Sequence, residues 1–433
     1  MEKEREITGW VMYDWANSGF SSTVVSTFLG PYLAGLIGVL GGTILVFGYA
    51  VEAEAFYPYC VSISVMLQVI MLPILGTLAD YTPLKKRLMM SFAYIGAIST
   101  MLLFFVTVDT IMLGGLLFII ANLAFGAAIV FYNAFLPDIT GPDERDSVSS
   151  KGFAYGYIGG GSVLFVNLLM FQFMEDTGLA VRLSLASAGV WWLVFAYLFP
   201  QQRLVQRETV LKLPEGEKYF TYSIKAFWAS LVEMKNKYPV TLFFLVGYLV
   251  YNDGIQTVIA VSSIFAVSDV GLSPGTLVQI VLMIQFIAAA GAILFNKLAE
   301  RIGTRRTLII NLTIWCFTVT SAYAFVNEPW QFWILAVFLG LVLGSSQALS
   351  RSLFSQMIPK SRESVYFSLY EVSERGTAWI GPLLFATAVQ LTGSSRSAIL
   401  PLVAFFMFGI VMLYFTDVKR AIIEAGNELP AII

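Results

Sequence analysis

Histidine is absent from this 433-residue chain. That absence removes Ser-His-Asp catalysis, imidazole-ligated zinc and histidine proton relays. Cysteine is nearly absent as well. Cys60 and Cys316 each sit inside an apolar run and read as small buried hydrophobes, neither metal ligands nor halves of a disulfide. Charge is scarce, at 12% of residues against roughly 25% in a soluble domain. The net charge of −2 offers no basic surface to nucleic acid. No Walker sequence is present. Only carboxylates or serines are left for catalysis, and no catalytic residue is expected. Neither a metal nor a cofactor is expected. The N-terminus, Met1 to Ile7, mixes acidic and basic residues, and no short apolar region with a small-residue cleavage site follows it.

Apolar surface is what the chain has in excess, at 58% of residues. A water-soluble core could not hide that much, so a membrane is the expected solvent. A spanning helix needs about 20 mostly apolar residues. Candidate spans are Gly9–Val39, Phe56–Ala79, Leu88–Val108, Ile111–Leu136, Gly152–Met174 and Leu179–Pro200, then Pro239–Val267, Gly275–Leu298, Thr307–Val326, Trp330–Gln356, Ser364–Leu391 and Ala398–Phe415. The first is long enough to kink, with Pro31 as the expected site. The expectation is an all-α polytopic membrane protein of twelve transmembrane helices in two bundles. Residues 1–200 form the first bundle, 201–238 a polar cytoplasmic linker and 239–433 the second bundle.

Charge placement tests the count independently. Connections on the side of both termini carry 22 of the 26 Lys and Arg residues. The opposite side holds Arg182 and Arg396 and is otherwise acidic, with Glu52, Glu54, Asp109, Glu175, Asp176, Asp269 and Glu328. This is the positive-inside pattern for twelve spans with both tails cytoplasmic, the arrangement of a multi-pass protein in a prokaryotic plasma membrane.

The two halves echo each other. Leu78-Ala79-Asp80 followed by Lys85-Lys86 returns as Leu298-Ala299-Glu300 followed by Arg305-Arg306. Arg145-Asp146-Ser147-Val148 returns as Arg362-Glu363-Ser364-Val365. Asn17-Ser18-Gly19 matches Asn252-Asp253-Gly254, and the longer outer loop Gly41–Glu54 accounts for the wider offset. A duplicated six-helix unit puts a cavity between halves at the membrane midplane, where rocking exposes it to each side in turn.

Gly76-Thr-Leu-Ala-Asp80 with Lys85-Lys86-Arg87 resembles the cytoplasmic loop motif of the major facilitator superfamily, although Tyr81 and Pro83-Leu84 stand where that pattern has a basic residue and a glycine. Tyr13-Asp-Trp-Ala-Asn-Ser18, Tyr251-Asn-Asp-Gly-Ile-Gln-Thr257, Gln347-Ala-Leu-Ser-Arg-Ser-Leu-Phe354, Leu369-Tyr-Glu-Val-Ser-Glu-Arg-Gly376 and Gly381-Pro382 resemble signatures of the UMF1 family, related to vacuole effluxer Atg22-like proteins. The resemblance implies a major facilitator fold and transport of a small solute, with amino-acid efflux suggested by the eukaryotic relatives.

Ionisable groups in mid-span cost about 2.5–3.5 kcal/mol or more, so each needs a reason, functional or structural. Candidates for substrate binding or coupling are Asp14, Asn17, Asn252, Asp253, Gln256, Arg351, Glu371, Glu374 and Arg375. Asp253 lies deep, and its Asn and Gly neighbours are expected to loosen the helix. Asp14 and Asn17 share a face, but Asp14 is only about five residues into its predicted span, so solvation at the membrane edge is equally open. Tyr13 and Trp15 read as interface aromatics. Glu371, Glu374 and Arg375 form one stripe, and Arg351 is at matching depth on the preceding helix, which predicts an Arg351–Glu371 pair. Candidates for a cytoplasmic gate are Gly76, Asp80, Lys85, Lys86, Arg87, Glu300, Arg305 and Arg306, with Asp80 and Glu300 each expected at a neighbouring helix N-terminus.

The predicted activity is secondary transport by alternating access, by a functional monomer and without ATP. If protons couple it, carboxylates carry them: Asp253, Glu371 or Glu374. A membrane-embedded enzyme, a non-transporting sensor with a transporter fold, and a carrier of organic acids or drugs are the alternatives. Flux, product or mere binding in sealed vesicles separates them.

Overall fold

The computed structural model describes the chain except residues 1, 210, 212, 214–216, 218, 273, 378–383, 386–387, 389–394 and 433, and it leaves out the side chains of Glu374 and Arg375. Gly381-Pro382 and most of the upper part of the predicted eleventh span therefore lie outside the described residues. In lipid every backbone N–H and C=O must be satisfied within its own segment, and long apolar runs answer with helices. Eleven described helices are long and apolar enough to cross a membrane.

The first half consists of α1 (Glu2–Val39), α2 (Ala53–Tyr81), α3 (Lys85–Leu102), α4 (Ile111–Ile139), α5 (Arg145–Phe173) and α6 (Thr177–Leu198). The second consists of α7 (Pro239–Ser268), α8 (Pro274–Ile302), α9 (Thr304–Ala324), α10 (Pro329–Gln356), α11 (Glu363–Thr377, as far as it is described) and α12 (Leu402–Phe415). Two large apolar clusters hold them. One runs from Trp10 to Leu204, the other from Met234 to Ile422 with Ala134 added from α4. Across the divide, α5 packs on α8 and α10, and α2 packs on α11.

Three local features go beyond the sequence reading. The first span stays helical through Pro31. It is π-helical over Phe20–Phe28, just ahead of that proline. Proline crowds the carbonyl four residues back, and the wider i→i−5 turn relieves this. The Ser26 and Thr27 hydroxyls follow the same spacing, donating to the carbonyls of Ser21 and Ser22. Second, Asn252-Asp253-Gly254 does not loosen its helix, because α7 is continuous from Pro239 to Ser268. A Cβ on Gly254 would meet Phe405 Cβ at 3.0 Å, so this glycine allows close approach of α12. Third, the outer loop folds into a hairpin, with strand β1 (Thr43–Val46) antiparallel to β2 (Tyr49–Glu52). Phe47 and Gly48 both take positive φ, as a two-residue type I′ turn requires.

The polar linker is partly helical too. Tyr219–Lys237 forms a helix that packs against α2.

Candidate functional site

The densest polar constellation lies where the halves meet. Arg351 of α10 is 4% exposed, and most of what surrounds it comes from the first half. Its Nε donates to Ser149 Oγ at 2.9 Å and an Nη to the Ser149 carbonyl at 2.9 Å. The other Nη donates to Asn133 Oδ1 at 3.3 Å and stands 3.6 Å from an Asp14 carboxylate oxygen. The rings of Trp10, Tyr132 and Phe153 enclose the guanidinium at 4.8, 5.3 and 4.2 Å. A guanidinium is planar and weakly hydrated for a cation, so it can be stacked and hydrogen-bonded at once where an ammonium cannot.

The neighbours fix one another. Tyr132 donates its hydroxyl to Asp14 Oδ2 at 2.6 Å. Trp10 stacks on Tyr132 at 4.2 Å and donates Nε1 to the Tyr132 carbonyl at 2.7 Å. Asn133 donates Nδ2 to Glu371 Oε1 at 2.9 Å, so a single amide stands between Arg351 and Glu371. The predicted direct Arg351–Glu371 pair is thus replaced by Arg351–Asp14 and an Asn133 bridge. The reason is that α4 wedges between α10 and α11 at this depth, which the sequence of two adjacent helices does not disclose. Asp14 is buried, so it is not solvated at the membrane edge. Tyr13 is fully buried beside Tyr132, so it is no interface aromatic, while Trp15 stacks on Trp191 at 5.4 Å.

Asn17, Asn252 and Asp253 are all buried. Neither amide atom of Asn252 has a hydrogen-bond partner among the described residues, although buried amides are nearly always bonded. Gln256 lies one turn further along α7. Tyr251 shares a 2.6 Å hydrogen bond with Ser350, one residue before Arg351. Further along the divide, Tyr157 donates to Gln347 at 2.8 Å and Gln285 donates to Ser22, in the π-helical stretch, at 2.9 Å.

On the side of the termini, Asp80 accepts from the backbone N–H of Ser364 at 3.0 Å and of Val365 at 2.9 Å. These are first-turn N–H groups of α11, which have no partner within their own helix. Gly76 faces the same turn, and a Cβ there would meet the Ser364 carbonyl at 2.6 Å. Lys85 is buried and pairs with Asp138 at 3.1 Å, while Lys86 is half-buried and Arg87 exposed. Arg145 donates to the Ser355 carbonyl at 2.8 Å, tying α5 to α10. The echo of Asp80 does not repeat this contact. Glu300 is exposed and, among the described residues, accepts only from Asn296 of its own helix, at 2.9 Å. The α9 N-terminus is met by Asp146 instead, through the Thr304 hydroxyl. Arg305 donates to the Thr416 carbonyl at 2.8 Å, and Arg306 is exposed.

Sequence reading missed Trp10, Tyr132, Asn133, Ser149 and Phe153. Asn133 was the one with a signal, being an amide deep in an apolar span.

The family described as "Vacuole effluxer Atg22 like" matches residues 2–426. An MFS-type transporter of Bacillus subtilis, YxiO, is 32% identical, with 98% of each chain covered. Autophagy-related protein 22 of Kluyveromyces lactis is 26% identical over 98% of this chain and 96% of its own. Among solved structures, the Escherichia coli fucose:proton symporter FucP aligns with a TM-score of 0.71 at 12% identity, covering 96% of this chain and 98% of that one. The proton:xylose symporter XylE aligns with a TM-score of 0.66 at 14% identity, covering 95% and 94%. The fold is therefore that of the major facilitator superfamily, and the chain belongs to the vacuole effluxer Atg22-like family of MFS-type transporters.

Proposed function

We propose that this protein exports amino acids by alternating access, rocking residues 1–200 against 239–433 about the Arg351 site, as a monomer in a prokaryotic plasma membrane with both tails cytoplasmic. The observation that carries the reading is Arg351, a cation of the second half enclosed by a carboxylate, an amide and three rings of the first. A substrate α-carboxylate can take the guanidinium in place of Asp14, since a fork of N–H donors suits any carboxylate. Glu371, one amide away, is then a partner for the ammonium group. Exchange of a protein carboxylate for a substrate carboxylate keeps the buried charge balanced while loosening the tie between halves. Protons are the coupling ion in this reading, carried by Glu371 or Asp253. By sequence spacing alone, Glu374 and Arg375 belong to the same polar stripe as Glu371. Asp80, with Gly76 and the Lys85–Asp138 pair, closes the cytoplasmic side.

The test is purified protein in sealed vesicles offered amino acids and organic acids at two pH values. Amino-acid flux that Arg351→Ala abolishes is expected. Binding without flux, or flux of organic acids alone, overturns the reading.

A further inference from the structure

The helix Tyr219–Lys237 has two faces of unusual character. Its inner face carries Ala226, Ser230 and Met234, all buried. At one end Tyr222 donates its hydroxyl to Tyr81, the last residue of α2, at 3.1 Å. Further along, Ser230 and Glu233 receive the guanidinium of Arg362, the residue before α11. Tyr222 and Glu233 are 11 residues apart, about 16 Å along a helix. Both ends are thus held at the level where spanning helices stop, so the helix runs along the membrane surface and not away from it.

The outer face should then be polar throughout if it met only water. It carries Thr221 and Asn236, but an apolar stripe runs along it as well. Ile224, Trp228 and Val232, spaced by four and so on one stripe, are 41%, 63% and 59% exposed. Lys225, which pairs with Glu217 at 2.8 Å, and Lys235 flank the stripe on the same outward arc. An apolar stripe with a central tryptophan and flanking lysines, lying parallel to the membrane, fits the boundary between acyl chains and headgroups.

We propose that Tyr219–Lys237 is a monotopic helix seated in the cytoplasmic leaflet, with Trp228 inserted below the headgroups and Lys225 and Lys235 among anionic ones. The same helix grips Arg362, two residues before the N–H group of Ser364 that Asp80 accepts. Lipid at this helix therefore bears on the α2–α11 contact.

The experiment uses full-length protein with Cys60→Ala and Cys316→Ala, carrying Trp228→Cys labelled with an environment-sensitive fluorophore. It is reconstituted in phosphatidylcholine vesicles with and without phosphatidylglycerol. The expected result is blue-shifted emission, quenching by nitroxide-bearing lipid, and iodide quenching several-fold weaker than for the same label at Lys237→Cys. Phosphatidylglycerol should strengthen each effect. Val232→Cys gives the same readout on the same stripe if the Trp228 variant folds poorly. Iodide quenching equal to that at position 237, with no response to nitroxide lipid, overturns the proposal. So does shielding that appears only at high protein-to-lipid ratio, which would mean a second copy of the chain covers the stripe.

Discussion

Arg351 and Asp14 come from opposite halves and face each other at 3.6 Å, both buried. Removing one partner of a buried pair leaves an uncompensated charge, typically at about 3–5 kcal/mol. Arg351→Ala should therefore lower the unfolding temperature of the purified protein and abolish flux. Arg351→Lys keeps the charge but loses the fork to Ser149 and the stacking, and should also fail to transport. A double-mutant cycle of Asp14→Asn with Arg351→Gln should show coupling of at least about 1 kcal/mol by thermal unfolding. Strict additivity would mean that the two residues act independently.

Glu371 accepts from the Asn133 amide, and a glutamine carbonyl can accept there too. Glu371→Gln should fold with a loss of only about 1 kcal/mol, the difference between a charged and a neutral acceptor. Under an imposed pH gradient the variant should exchange solute but no longer accumulate it. Accumulation at the parental level would remove Glu371 as proton carrier and leave Asp253 as the next residue to neutralise.

Much of this architecture was legible because lipid makes hydropathy decisive. Apolar runs and the one-sided placement of Lys85, Lys86 and Arg87 locate helix ends without reference to packing. Asp80 at the end of α2 could be read as a partner for helix N–H groups, since its chemistry and its depth were both visible in the sequence. The surroundings of Arg351 were not visible. Periodicity says which residues share a face but not which helix wedges between two others, so Asn133 and the three rings escaped. The same limit produced the wrong expectation at Gly254, where local propensity argued for loosening and contact with α12 decided otherwise.

That correction is testable. At Gly254 a new Cβ would stand 3.0 Å from Phe405 Cβ and 3.2 Å from the Phe406 ring. Gly254→Val should cost about 1–3 kcal/mol through overpacking. Gly35→Ala, where a Cβ meets nothing within 4 Å, should be neutral or slightly stabilising. Thermal unfolding of the two variants compares them directly. Equal tolerance would mean that α7 and α12 are not held at this separation.

The two N–H groups that Asp80 binds at the start of α11 have no twin among the described residues, since Glu300 accepts from Asn296 of its own helix, so closure on the side of the termini should depend on one acid and not on both. Asp80→Asn retains one acceptor but loses the charge that binds two N–H groups, a loss of about 1–2 kcal/mol. If that contact favours the closed cytoplasmic side, the equilibrium should shift toward opening by roughly tenfold. A cysteine placed at Ser368, which is buried beside Gly76, reports this through its labelling rate with a membrane-impermeant thiol reagent from the cytoplasmic side. The Asp80→Asn background should label about ten times faster, and Gly76→Ala should act in the same direction because its Cβ collides with the Ser364 carbonyl. Glu300→Gln should leave the rate unchanged, since its carboxylate is exposed and, among the described residues, bonded only within its own helix. Equal acceleration by Asp80→Asn and Glu300→Gln would mean that Glu300 reaches the α5 N-terminus in another state and that the two halves share the task.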